Sequence, residues 1–316
     1  MALRIAFFGT PGFAVPSLER LITSPHHVAG VITQPDRPRG RGQLVTPSPI
    51  KALAASAGLP VLQPARLKRE AFEAEFHALD ADLGVVAAYG KILPDWLLSA
   101  PRLGLINVHA SLLPRYRGAS PVHHAVMAGE RVTGVTIMRV VKELDAGPIL
   151  AQAEVPIGPD ETAAAVEGVI ASRGAELMIE IVDRIAAGPV TEIPQDDTKA
   201  TYAPKLIKAD GLIDWSKTAD QLHNQIRGLT PWPHAYTFLD DIRYILHDAH
   251  VGALPPEPAA PGTIVAASAH EGLLVACGDR TVLEILALQL EGKRVVGARD
   301  ALAMQLLKTG ARFAKK

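Results

Sequence analysis

The chain has 316 residues, 48% hydrophobic, 21% charged and 5% aromatic, a length that buries roughly 75% of the unfolded surface and favours two domains over one. Its formal net charge of −1 supplies no global attraction to nucleic acid or membrane, so a polyanionic partner has to be met by a local basic patch. A single cysteine, Cys277, excludes an internal disulfide and a cysteine-based metal site, and no apolar run nears the roughly 20 residues of a membrane span, so a soluble, cytoplasmic protein is expected.

Residues 3–9 read as a buried strand that turns at Thr10-Pro11-Gly12 into a helix over 16–24. A strand at 28–33 leads into an irregular Pro/Gly/Arg loop over 34–49, and a helix over 50–57 stops at Gly58, a residue suited to the position just past a helix end. A short strand (59–62), an amphipathic helix (66–79) and continuous apolar runs at 83–88 and 104–108 follow. Apolar runs of strand length separated by helices indicate a parallel sheet covered on both faces, so the first domain is expected to be α/β, an open, mostly parallel Rossmann-like sheet. Strands at 132–141 and 149–156 flank a loop carrying Asp145, and an Ala-rich helix over 162–187 stops at Gly188-Pro189. Residues 189–206 show no apolar period and read as a linker between a domain over 1–188 and a second over 207–316. That second domain has a helix at 219–227, short β-like runs at 236–239, 244–249, 262–265, 272–276 and 281–289, and a final helix over 298–309. It is expected to be a small β-barrel.

Chemistry concentrates at Asn107-Val108-His109-Ala110-Ser111-Leu112-Leu113-Pro114. On a strand, alternate side chains share a face, so Asn107 and His109 point the same way at the carboxyl end of a strand, where open α/β sheets bind ligands. When an amine attacks a carbonyl carbon, a negative oxygen develops, and two positioned donors can hold it; losing one such donor typically costs about 10²–10³ in rate. A carboxylate keeps an imidazole charged and oriented, and Asp145 of Leu144-Asp145-Ala146-Gly147 is the candidate, although spacing alone does not bring it to His109. A satisfied core histidine is the rival reading of His109. Gly9-Thr10-Pro11-Gly12 lacks the third glycine of a dinucleotide loop and the Gly-Lys-Ser/Thr of a phosphate loop, so it reads as a tight turn. His26-His27, His123-His124 and the pair His247 and His250 have no companion ligand at trusted spacing, so no metal is expected. Arg37, Arg39 and Arg41 lie in a segment read as unable to form helix or strand, a solvated connection or a phosphate contact. From Lys293 on, basic residues face only Asp300, which marks either a basic solvated tail or a second local patch.

With these residues in view, the chain resembles the methionyl-tRNA formyltransferases over nearly its whole length. The motifs run in the family's order: Phe8-Gly9-Thr10-Pro11, Thr33-Gln34-Pro35-Asp36-Arg37-Pro38, Gly40-Arg41-Gly42, Ala88-Tyr89-Gly90, Asn107 to Gly118, Thr133-Gly134-Val135-Thr136-Ile137-Met138, Leu144-Asp145-Ala146-Gly147, Tyr202-Ala203-Pro204-Lys205, Ile213-Asp214-Trp215 and Pro231-Trp232-Pro233. The resemblance implies transfer of a formyl group from 10-formyltetrahydrofolate, a co-substrate, to the α-amine of methionine on initiator tRNA, without a metal, by a monomer. It assigns oxyanion stabilisation to Asn107 and His109, and the support of His109 with help in proton movement to Asp145. Folate falls to the loop Ser111, Leu112, Leu113 and Pro114. The tRNA falls to Arg37, Arg39 and Arg41 and to an OB-like C-terminal barrel. One departure is Gly12, where an acidic residue is expected. Formyl transfer to a sugar nucleotide or a glycinamide ribonucleotide shares the Asn/His/Asp set, and a catalytically dead RNA- or folate-binding protein is the rival of another class.

Overall fold

A computed structural model describes residues 1–39, 44–253, 258–304 and 307–314. They cluster into two compact units, Met1–Pro121 with Val132–Pro156 and Glu167–Pro204, and Val122–Arg131 with Ile157–Val166 and Lys205–Lys316. The chain runs through β1 (Arg4–Gly9), α1 (Val15–Ile22), β2 (His27–Ile32), β3 (Arg37–Arg39), β4 (Leu44–Thr46), α2 (Pro49–Ser56), β5 (Val61–Leu62) and α3 (Arg69–His77). Next come β6 (Leu83–Ala87), α4 (Asp95–Leu98), β7 (Leu105–His109), β8 (Arg117–Gly118), α5 (Pro121–Met127), β9 (Val132–Arg139), β10 (Ile149–Pro156), α6 (Ala163–Ala187) and β11 (Tyr202–Ala203).

Seven of these strands form one sheet in the order β10-β9-β7-β6-β1-β2-β5. The neighbours from β7 to β5 pair in parallel, and β9 and β10 complete the sheet antiparallel. Every residue of β6, and every residue of β1 after Arg4, is buried, so neither strand has a solvent face to fill with polar residues. That is why both read as continuous apolar runs. Strand order reverses at β1, with β2 on one side and β6 on the other, and such a reversal opens a crevice at the carboxyl ends of the strands. One buried polar tie fixes the start of the sheet: the Leu3 amide donates to His26 Nδ1 at 3.1 Å while His26 Nε2 lies 2.9 Å from Asp183 on α6. Helix α2 begins where expected because Ser48 Oγ accepts from the Lys51 amide at 3.1 Å and Pro49 needs no partner at the first position.

Two expectations for this unit change. The arginine loop holds a two-stranded ladder, with Arg37 opposite Thr46 and Arg39 opposite Leu44. Pro38 is tolerated there because a two-stranded ribbon leaves outward amides unused on each strand. The stretch expected as a linker is bonded to the first unit: Ile193 and Ile149 exchange both backbone hydrogen bonds, at 2.8 and 2.9 Å, and β11 pairs in parallel with β8. Such isolated long-range pairing leaves no periodic trace in a polar sequence.

The second unit contains α7 (Ala219–Gly228), β12 (Ala235–Leu239), β13 (Ile242–Val251), β14 (Ile264–Ser268), β15 (Gly272–Ala276), β16 (Val282–Leu290), β17 (Val295–Gly297) and α8 (Ala298–Ala303). Its strands form one antiparallel sheet, β12-β13-β16-β15-β14 with β17 against β16, as expected of a small barrel. Helix α7 starts at a reciprocal cap, Thr218 Oγ1 accepting from the Gln221 amide and Gln221 Oε1 from the Thr218 amide.

The last helix is shorter than the 298–309 expected, ending at Ala303. Beyond Gly310 the backbone bridges Arg312 to Thr263 and Ala314 to Phe238, so the segment belongs to the sheet rather than to a solvated tail. Phe313 is 2% exposed and stacks on Trp215 at 5.6 Å between ring centroids. Lys315 and Lys316 lie outside the described residues. Replacing Phe313 by Ala is expected to destabilise the second unit by about 3–5 kcal/mol. Urea unfolding checks this, and an unchanged midpoint would refute the packing.

Candidate active site

The site is built on β7. Asn107 stands opposite Val86 of β6 and Met138 of β9, and His109 opposite Thr136. Period-two alternation therefore puts both polar side chains on one face at the strand's carboxyl end. His109 is buried, and Asn107 is half-buried with no side-chain hydrogen bond among the described residues. A carboxamide in that state keeps its N–H groups free for a ligand.

Asp145 reaches the same place by a longer route. Strand β9 ends opposite Ile106 rather than opposite His109, yet the β9–β10 connection carries the Asp145 carboxylate to 3.6 Å from His109 Nδ1. That separation is an ion-pair contact and not a hydrogen bond. The carboxylate is anchored instead by the Gly118 amide, which donates to its Oδ2 at 2.8 Å. Gly118 has φ +121°, and a Cβ there would stand 2.6 Å from the Ala203 carbonyl oxygen, so the close approach requires glycine. On the other edge of the imidazole, Nε2 lies 3.1 Å from the Tyr116 carbonyl oxygen and donates to it. The Tyr116 carbonyl thus holds Nε2 while the Asp145 carboxylate faces Nδ1. Nδ1, beside the carboxylate, is the edge left for a reacting group.

The loop after β7 is held from within. Ser111 Oγ donates to the Arg115 carbonyl at 2.6 Å, and Thr136 Oγ1 donates to the Ser111 carbonyl at 2.6 Å while accepting from the Leu113 amide at 3.1 Å. Gln152 Nε2 donates to the Leu113 carbonyl at 2.9 Å, and the Leu113 side chain is buried against Met138 and Ile149. The Leu113–Pro114 peptide is cis. Of the four residues expected to meet folate, Ser111 and Leu113 thus spend their side chains inside the protein; Leu112 and Pro114 remain half-buried.

The carboxyl ends of β1 and β6 carry a second polar knot. The Tyr89 carbonyl accepts from Thr10 Oγ1 at 3.2 Å and from Gln34 Nε2 at 2.9 Å. The Tyr89 hydroxyl is buried without a partner among the described residues, and burial pushes the phenol up to about 12. A cleft of about 180 Å³ lies alongside, lined by Thr10, Gln34, Pro35, Asp36, Arg37, Thr46 of β4 and Ser48, the cap of α2. Asp36 bonds Lys51 and Gln63, which hold its carboxyl below the usual range. Arg37 is exposed, and no acid among the described residues pairs with it. Arg39 has its backbone in β3, and Arg41 lies outside the described residues. The structure brings Asn107, His109 and Asp145 together and sets Arg37 beside a polar cleft.

The Gly12 departure is not forced by packing, since a Cβ there would meet nothing within 4 Å. Among the described residues no group of three His, Cys, Asp or Glu side chains is arranged to hold a metal, and no helix is long and apolar enough to cross a membrane. Thr136, which lies in the motif over 133–138, supports the loop from below, and two residues without a sequence signal also shape the site: Gln152 under the loop, and Gln195, which donates to the carbonyls of Asp145 and Gly147 at 2.8 and 2.7 Å. Gln195 falls in the polar stretch read as a linker, where only the fold reveals a contact.

A model of the formyl transferase family matches residues 3–182, and one of the formyl transferase C-terminal domain matches residues 205–305. The chain is 50% identical over 287 residues to a methionyl-tRNA formyltransferase of Nitratidesulfovibrio vulgaris, a match covering 89% of this chain and 87% of that one. A methionyl-tRNA formyltransferase of Citrifermentans bemidjiense is 45% identical over 314 residues, 99% of this chain and 97% of its own length. An N-formyltransferase from Helicobacter canadensis, solved in complex with folinic acid and dTDP-3-aminofucose, shares the fold with a TM-score of 0.66 at 17% identity, over 90% of this chain and 98% of that chain. On these matches to both of its units, the chain belongs to the formyl transferase family and, within it, to the methionyl-tRNA formyltransferases.

Proposed function

We propose that this enzyme transfers the formyl group of 10-formyltetrahydrofolate to the α-amine of methionine on initiator tRNA, with the first unit as catalytic domain and the second holding the tRNA. The observation that carries the catalytic reading is the convergence of Asn107 and His109 of β7 with Asp145 of the β9–β10 connection, whose carboxylate lies 3.6 Å from His109 Nδ1. The relatives' names and the match of both units to formyl transferase models support the substrates.

The amine nitrogen attacks the formyl carbon, the carbonyl oxygen takes up negative charge, and the bond from that carbon to folate N10 then breaks. The proton lost by the amine ends on N10, so the exchange is balanced without an outside acid or base. Asn107 supplies amide donors to the oxyanion, and His109 supplies the hydrogen on Nδ1. Asp145 supports and orients the imidazole and relays the proton between the two nitrogens. The loop from Ser111 to Pro114 borders the folate, offering its backbone and the exposed faces of Leu112 and Pro114. Arg37, Arg39 and Arg41 meet the phosphates near the tRNA acceptor end. Activity as a monomer in the cytoplasm completes the proposal.

His109→Ala and Asp145→Ala are each expected to lower turnover by about 10²–10⁴ with folate binding largely kept. Steady-state formyl transfer with charged initiator and charged elongator tRNA measures this, and near wild-type turnover of both variants would sink the mechanism. Arg41→Ala is expected to raise the KM for tRNA more than that for folate. The wild-type KM for tRNA is expected to climb with salt as phosphate contacts release counterions. A KM for tRNA indifferent to salt contradicts the electrostatic role.

A further inference from the structure

Gln195 uses every hydrogen-bonding edge of its carboxamide. Its Nε2 donates to the Asp145 carbonyl at 2.8 Å and to the Gly147 carbonyl at 2.7 Å. Its Oε1 accepts from Arg117 twice, from Nε at 3.1 Å and from Nη2 at 2.8 Å. Arg117 is itself buried and also donates to Asp197 at 2.6 Å. The next amide along the chain, that of Gly118, donates to the Asp145 carboxylate at 2.8 Å. These bonds close a ring: from the Asp145 backbone through Gln195 and Arg117 to Gly118, and from Gly118 back to the Asp145 side chain.

The ring has something to hold. Asp145 sits at φ 49°, the left-handed region that few residues other than glycine adopt. A loop in that conformation is kept there by contacts from outside itself. Bonds to the carbonyls on either side of Ala146 fix the backbone, and the bond to the carboxylate fixes the side chain. Together they set where the carboxylate stands against His109.

We propose that Gln195 and Arg117 are positioning residues for formyl transfer, acting through Asp145 and touching no reacting atom; this rests on the catalytic assignment of Asp145 given above. Only a carboxamide meets the geometry, because two carbonyl oxygens demand donors on one side while a guanidinium demands an acceptor on the other. Gln195→Glu separates the two halves. It keeps the acceptor for Arg117 but turns an oxygen toward the carbonyls of Asp145 and Gly147, so the loop is pushed away while the buried guanidinium stays paired.

The experiment measures kcat, both KM values and the melting temperature for Gln195→Glu, Gln195→Leu, Asp145→Ala and the double variant Asp145→Ala/Gln195→Glu. Gln195→Glu is expected to melt close to wild type and to lose about 10–100-fold in kcat, the scale of a displacement near 1 Å, with the KM for folate within about twofold. In the Asp145→Ala background the same substitution is expected to cost less than about threefold further, since the group it positions is gone. A full, multiplicative loss in that background, or an unchanged kcat in Gln195→Glu and Gln195→Leu beside an inactive Asp145→Ala, overturns the positioning role alone. Near wild-type turnover of Asp145→Ala overturns the catalytic assignment instead.

Discussion

An acid that stands beside an imidazole without bonding to it has to be anchored by something else, and the site depends on that anchorage. The Asp145 carboxylate takes its hydrogen bond from the Gly118 amide and keeps only an ion-pair distance to His109 Nδ1. Water is largely excluded from both partners, with side-chain exposures of 6% for His109 and 15% for Asp145, so the attraction is weakly screened. The Tyr116 carbonyl then fixes the opposite edge of the imidazole, and the Asn107 carboxamide lies on the same face of β7.

Much of this was legible in the sequence, for identifiable reasons. Strands buried on both faces must be apolar throughout, so β1 and β6 declared themselves, and the parallel sheet followed from the helices between the strands. Period-two alternation made Asn107 and His109 neighbours before any coordinates existed. The order of motifs, from Phe8-Gly9-Thr10-Pro11 to Pro231-Trp232-Pro233, pointed to the family to which the matches assign the chain.

What stayed hidden is non-local and polar. No spacing rule carries Asp145 from a strand that ends opposite Ile106 to the ring of His109. Nothing in a run of Pro, Asp, Thr and Lys announces that Gln195 bonds two carbonyls of the Asp145 connection or that Thr201 accepts from the Arg117 amide at 2.8 Å. The β3–β4 ladder was masked by Pro38, which carries no ladder donor, and the last stretch of the chain by its basic residues, although Leu307 and Phe313 among them are core.

The stacking of Phe313 on Trp215 sets an order of events during synthesis. Trp215 is translated 98 positions before the ring that stacks on it, so the later unit cannot close its interior until residue 313 has emerged. The earlier unit, whose sheet is complete by Pro156 and whose backbone pairing ends at Ala203, is under no such restriction and is able to fold while translation continues. Maturation is therefore vectorial: the fold around Asn107, His109 and Asp145 is available first, and the interior of the later unit waits for Phe313.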